Sequence, residues 1–199
     1  MGKIRITKQE LRKQKDSLAR FRRYLPTLQL KKKQLQRQII KIHQQINEVT
    51  RQKDDFREKL VKWINVFSQA NPIGEVLSIE TIRVSEGNVA GVGLPVFEGV
   101  EFRQSEYDLL ATPLWVDSGI EAVKEMISYE ARLIVLHKQL EALKEELRVT
   151  NQRVNLFEKV KIPEAEENIR VIHIYLGERR TAAVVRGKIA KAKIEQKRQ

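Results

Sequence analysis

A heptad pattern from Leu11 to Phe67 constrains the fold of this chain more than any other feature. Positions spaced alternately by three and four residues run through this stretch, and fourteen of the seventeen are apolar. Such spacing puts one narrow apolar stripe on a helix, as in a coiled coil, whereas a globular core favours a wider stripe. The stretch is therefore predicted to be a long helix that packs against a partner helix. The predicted seam consists of Leu11, Gln14, Leu18, Phe21, Leu25, Leu28, Lys32, Leu35, Ile39, Ile42, Ile46, Val49, Lys53, Phe56, Leu60, Trp63 and Phe67.

A second stripe with the same spacing lies in the C-terminal part of the chain, so the partner helix is predicted in the same molecule. Two such helices fold back on each other antiparallel, and facing residues then have numbers that add up to about 188. This pairing would put Pro26 level with Pro163 and suggests a shared bend, although a slip of one heptad is an alternative. The second seam consists of Ala122, Met126, Tyr129, Leu133, Leu136, Leu140, Leu143, Leu147, Thr150, Val154 and Phe157.

Capping boxes and turn residues predict where these helices begin and end. Thr7 with Glu10 and Ser118 with Glu121 have the spacing in which a hydroxyl and a carboxylate each satisfy a free amide at a helix start. Asn71-Pro72 stops the first helix near Ala70. The predicted domains are therefore an N-terminal coiled-coil helix over 7–70, a linking region over 71–118, and a C-terminal coiled-coil helix with a basic tail over 119–199.

The linking region has the composition of a β-hairpin. Residues 75–84 are rich in β-branched side chains and nearly alternate, which predicts a strand. Residues 85–88 have turn chemistry, and an apolar arm interrupted by glycine follows over 89–102. The predicted fold class is mainly α: a long antiparallel two-helix coiled coil formed by the N- and C-terminal segments, with a small β-hairpin region between them.

Charge is distributed unevenly along the chain, whose net charge is +12. Residues 1–33 contain twelve Lys or Arg against two acids, and residues 177–199 contain eight against two. Residues 71–118 contain two Arg against eight acids. Folding back the two helices would bring both basic ends together, away from the acidic region.

Several chemistries find no support in the sequence. The chain has no cysteine, the glycines near residue 90 lack the phosphate-loop spacing, and the three histidines are scattered without a metal-binding pattern. We therefore expect no catalytic, cofactor-binding or metal-binding residues. No apolar run approaches the roughly 18 residues that span a bilayer, and residues 1–7 lack a secretory signal, so the chain is expected to be soluble and intracellular.

Two features of the sequence have more than one interpretation. Lys32 and Lys53 interrupt the first seam, either with packed stems and solvated ammonium groups or as positions that fix register or contact a further subunit. The basic ends suit either nucleic acid phosphates or an acidic protein partner. A basic helical hairpin that binds nucleic acid is the alternative function, and a scaffold that dimerises through its seams is a third.

Two segments resemble the D subunit of the V-type and archaeal-type rotary ATPases. The stretch Arg153–Pro163 is similar to a Val-Asn-Ala-Leu-Glu then Ile-Pro signature of that family, and Thr7-Lys8 with the Leu28–Leu35 stretch is similar to its N-terminal pattern. The similarity covers both helices. The residues that carry the motif are Thr7, Lys8, Val154, Asn155, Glu158, Ile162 and Pro163.

This resemblance implies a non-catalytic central rotor shaft in a complex that makes or hydrolyses ATP and moves protons or sodium ions. Its implied partners are the catalytic and regulatory A and B subunits of the head, the small F subunit of the stalk and the socket protein (C or d) of the membrane ring. It implies a monomer within a hetero-oligomer, cytoplasmic and peripheral to the membrane, that binds neither nucleotide nor nucleic acid directly. The implied head contacts are Arg22, Arg23, Lys31, Arg179, Arg180, Arg186 and Lys188.

Overall fold

A computed structural model describes residues 5–61, 73–106 and 115–198 of the chain. The described elements are α1 (Lys8–Val61), α2 (Ile73–Val76), β1 (Leu77–Val89), β2 (Val92–Gln104), α3 (Val116–Leu156), a π-helical turn (Phe157–Lys161) and α4 (Ile162–Arg198). The chain divides into two compact units. The central unit is Lys32–Arg148, and the terminal unit combines Met1–Lys31 with Val149–Gln199. The predicted fold class is confirmed: long N- and C-terminal helices with a small antiparallel hairpin between them.

Helix α1 begins where the first capping box predicts. The backbone amide of Glu10 donates to the Thr7 hydroxyl at 3.1 Å, which satisfies one of the free amides at the helix start. Pro26 lies inside the helix, where a proline removes one backbone hydrogen bond. The predicted end of this helix near Ala70 lies outside the described residues.

The hairpin is present, but its turn is not where the sequence suggested. Residues 85–88, predicted to turn, lie within β1, and the strands reverse at Ala90 and Gly91. Both residues have positive φ, 54° and 78°, and the Asn88 side chain accepts a hydrogen bond from the Gly91 amide at 3.0 Å. This backbone matches the twist of a two-residue hairpin turn. The reversal therefore lies at Ala90 and Gly91, and Asn88, the last residue of the predicted turn, accepts the hydrogen bond that supports it.

Helix α3 begins at Val116, before the predicted cap at Ser118. The Gly119 amide donates to the Trp115 carbonyl at 2.8 Å, which places Ser118 within the first turn. Val116 and Ile120 are each 1% exposed and pack with Val76 in a small cluster at the base of the hairpin. Burial of Val116 thus accounts for a helix that begins earlier in the chain than capping chemistry alone predicts.

Facing residues of the central unit are offset from the predicted pairing by three to five residues. In the central unit Lys53 contacts Glu130, where the prediction placed Val135, and the ring of Phe56 lies 6.1 Å from that of Tyr129. In the terminal unit Phe21 contacts Phe157 and Arg22 contacts Glu166.

The contact between Arg22 and Glu166 agrees with the predicted pairing, whereas the contact between Phe21 and Phe157 is shifted from it by ten residues. The suggested alignment of Pro26 with Pro163 stays a prediction.

Candidate functional site

The seam of the central unit is a continuous apolar core. Leu35 of α1 and Leu143 of α3 are both fully buried, and Leu136 is 7% exposed. Such interlocking of apolar side chains from two helices resists sliding and bending because protein cores are close-packed. The buried cluster contains Leu35, Ile42, Ile46 and Val49 of α1 with Leu133, Leu136, Leu140 and Leu143 of α3, and Ile39 and Leu147 pack against it partly buried.

Lys53, one of the two lysines on the first seam, forms an ion pair across the helices. Its Nζ lies 3.1 Å from Oε2 of Glu130, and its side chain is 23% exposed. The stem is thus packed while the ammonium group reaches a carboxylate at the rim, which accounts for a lysine on an apolar stripe. Lys32 is partly buried. Contact of either lysine with another protein of a complex stays a prediction.

The hairpin packs on the coil, a relationship that the sequence did not predict. Leu94 of β2 is 4% exposed and belongs to the same buried cluster as Ile42 and Leu136. The Gln139 side chain donates to the Pro95 carbonyl, which fixes the strand on α3. A cavity of about 310 Å³ remains between hairpin and helices, with Lys41 and Arg132 among its lining residues. The sequence signal for this contact was the apolar second arm of the hairpin, because apolar side chains there need a partner surface to be buried.

Among the described residues of the terminal unit, a ring contact and an ion pair join α1 to the C-terminal helices. The ring centroids of Phe21 and Phe157 are 5.3 Å apart, and the guanidinium of Arg22 lies 2.6 Å from the Glu166 carboxylate. The buried side chains here are Thr150, Val154, Ala165 and Ile172. Because the ion pair is largely exposed, the apolar contacts contribute most of the stability.

The motif residues of the resemblance all lie in the terminal unit. Thr7 caps α1, whose first residue is Lys8. Val154 is 5% exposed, whereas Asn155 and Glu158 are exposed. Ile162 and Pro163 open α4 directly after the π-helical turn. The sequence suggested a bend at Pro163, but the π-helical turn was not predicted.

The predicted head-contact residues also lie in the terminal unit, and all except the partly buried Lys31 are exposed. Arg179 lies 5.9 Å above the ring of Tyr175. From Gly177 to Gln196 every residue of α4 is exposed, including Val184 and Ile189 at 58% and 53%. The predicted contacts are Arg22, Arg23, Lys31, Arg179, Arg180, Arg186 and Lys188.

Local contacts shift the pKa of several side chains. A hydrogen bond from Arg148 lowers the pKa of Glu145, and one from Arg170 lowers the pKa of Glu167. Burial is the main cause that raises the pKa of Tyr129. Within residues 5–61, 73–106 and 115–198, no three His, Cys, Asp or Glu side chains converge to hold a metal ion. None of the described helices has an apolar stretch that could cross a membrane.

Known proteins resemble this chain over nearly its whole length. Residues 10–192 match the family of ATP synthase D subunits. The chain is 47% identical to the V-type ATP synthase D subunit of Borreliella burgdorferi over 197 residues, which cover 99% of this chain and 98% of that protein. It is 33% identical to the corresponding protein of Chlamydia abortus, with 100% and 97% covered, and 34% identical to that of Chlamydia pneumoniae, with 96% and 93% covered. The chain therefore belongs to the family of ATP synthase D subunits.

Proposed function

We propose that this chain is the non-catalytic rotor component in the central stalk of a V/A-type rotary ATPase or ATP synthase. It transmits torque between the catalytic head, built from A and B subunits, and the ion-translocating membrane ring. The observation that carries the proposal is family membership over residues 10–192. The relatives are components of V-type ATP synthases by name.

A shaft must resist twisting, and the central unit has the packing for it. Fully buried Leu35 and Leu143 belong to one cluster that joins α1 to α3, and the Lys53–Glu130 pair bridges the same helices. Close-packed cores transmit strain instead of absorbing it. The chain needs no catalytic residue for this task, since ATP chemistry belongs to the head.

The head contact is assigned to the exposed basic part of the terminal unit. Residues 177–196 of α4 are exposed on all sides and combine apolar side chains with Arg and Lys. Such a surface suits a cavity in a partner that offers both apolar and acidic groups. Arg22, Arg23 and Lys31 extend the basic surface on α1.

The remaining partners are assigned to the rest of the chain. We place contacts with the small F subunit on the coil and contacts with the socket protein (C or d) at the acidic linking region, 71–118, between coiled-coil domains 7–70 and 119–199. The chain is then a monomer within a hetero-oligomer, cytoplasmic and held at the membrane through the socket protein.

Binding to the purified head tests this assignment. The full chain is mixed with the A and B subunits of its own complex, and binding is followed by sedimentation. Reversing the charge of four exposed basic side chains of α4 is expected to weaken binding to the head at least about tenfold, since each lost contact is worth a fraction of a kcal/mol or more. The reversed residues are Arg179, Arg180, Arg186 and Lys188.

In a matched variant, the charge of four exposed basic side chains of the central unit is reversed. This variant should bind the head as the unchanged chain does. Equal binding by both variants would contradict the assignment of the head contact to α4. If the unchanged chain does not bind the head but binds DNA with an affinity that falls steeply as salt rises, the rotor proposal is overturned in favour of nucleic acid binding. The control residues are Arg37, Lys41, Arg57 and Lys138.

A further inference from the structure

One turn of π-helix interrupts the C-terminal helices at Phe157–Lys161. The amide of Ile162 donates to the carbonyl of Phe157, five residues earlier, where an α-helix would bond four residues earlier. Single π-turns of this kind accommodate one extra residue in a helix. The turn lies in the terminal unit, beside the contact between Phe21 and Phe157.

Burial on the two sides of this turn is out of phase by one residue. Continuing the spacing of three and four from Thr150, Val154 and Phe157 leads to Val171 and Tyr175. These two are 42% and 39% exposed.

The next residue in each case is turned inward instead. Ile172 is 1% exposed, Leu176 is partly buried, and Ala165 at 3% fits the same shifted phase. One extra residue in the π-turn therefore accounts for the whole offset, because each residue of an α-helix advances the side-chain direction by about 100°.

Pro163 favours the π geometry. Its ring nitrogen carries no hydrogen, so it cannot donate to the carbonyl of Lys159, and in a regular α-helix its ring would clash with that carbonyl. A widened turn just before the proline relieves this clash. The alternative regular helix would also place Glu164 and Asn168 where Ala165 and Ile169 now lie, which exchanges apolar for polar side chains in a packed interface.

We propose that Phe157–Lys161 is a phase-setting joint: it stores one residue more than an α-helix needs, and thereby turns the Ala165, Ile169, Ile172 and Leu176 face of α4 into the core of the terminal unit. The joint thus determines which face of α4 stays outside, including the exposed Val171 and Tyr175. The proposal concerns the chain itself and holds whatever binds to that face.

Single-residue deletions in the full chain test the joint. Deleting Glu158 in a chain that also carries Pro163→Ala removes both the stored residue and the ring that clashes in a regular helix. An unbroken α-helix then keeps every seam residue in phase, and the midpoint of thermal unfolding should stay within about 4 °C of the unchanged chain. Deleting Glu141, an exposed glutamate in the regular part of α3, turns the flanking seam out of phase and should lower the midpoint by more than about 10 °C. Equal losses from the two deletions would overturn the proposal.

Cross-linking reads the phase directly and does not depend on overall stability. The chain has no cysteine, so Arg22→Cys with Glu166→Cys gives one pair, placed where an ion pair now joins the two residues. A short bismaleimide should link this pair equally well with or without Glu158. An alanine inserted after Glu158 adds a second extra residue and should reduce linking by about tenfold. Loss of linking on deletion, or its retention on insertion, would refute the joint.

Discussion

Lys53 of α1 and Glu130 of α3 form an ion pair across the coil, with Nζ 3.1 Å from Oε2. The Glu130 side chain is 57% exposed, so solvent screens the pair and its coupling energy should be below about 1 kcal/mol. A double-mutant cycle of Lys53→Met and Glu130→Gln, followed by urea unfolding, measures it. Coupling above about 2 kcal/mol would show instead a desolvated pair that fixes the register of the helices.

Docking of the hairpin depends on Leu94. Because this side chain is 4% exposed within the coil cluster, Leu94→Ala should lower the free energy of unfolding by about 2–5 kcal/mol through lost burial and a cavity. Leu30→Ala, the same change at a side chain 58% exposed, should cost less than about 1 kcal/mol. Similar costs at the two sites would mean that the hairpin does not pack on the coil.

The hairpin turn offers a stabilising substitution. Ala90 has a φ of 54°, a conformation that costs alanine about 1 kcal/mol but that asparagine tolerates. Ala90→Asn creates an Asn-Gly turn and should raise the free energy of unfolding by about 0.5–1 kcal/mol. Gly91→Ala, at a φ of 78°, should lower it by a similar amount. A loss of stability with Ala90→Asn in denaturant titrations would contradict this turn geometry.

Acid should weaken two helical ion pairs. Arg148 lowers the pKa of Glu145 and Arg170 lowers that of Glu167, both from 4.5. A carboxylate with a lowered folded pKa stabilises the fold above its unfolded value and loses that contribution as the pH falls below about 4.5. The double variant Glu145→Gln and Glu167→Gln should therefore lose less stability between pH 6 and pH 3 than the unchanged chain. An identical pH dependence in chemical unfolding experiments would exclude a role for these pairs.

The coil could be predicted from sequence because its signal is local and repeated. Every described position of the first predicted seam is buried or partly buried, from Leu11 to Leu60. The capping hydrogen bond from Glu10 to Thr7 was equally readable, since it joins residues only three apart. Positions 63 and 67 of this stripe lie outside the described residues.

Features that depend on distant contacts could not be read in this way. Residues 85–88 have the composition of a turn, yet they pair with residues 93–96 of β2, and the strands reverse at Ala90 and Gly91. Docking of Leu94 joins segments that are far apart in sequence. The sequence suggested a bend at Pro163, but it did not reveal that a π-turn just before this proline adds one residue to the helix.

Rotation of the chain within its complex tests the central claim most directly. The cysteine-free sequence allows a single label through Glu80→Cys at an exposed position of β1, to which a bead is attached while the A and B subunits of the head are fixed to a surface. We expect ATP to drive continuous rotation of the bead in one direction, and removal of ATP to stop it. A bead that stays still while the head hydrolyses ATP would contradict the proposal that this chain is the rotor.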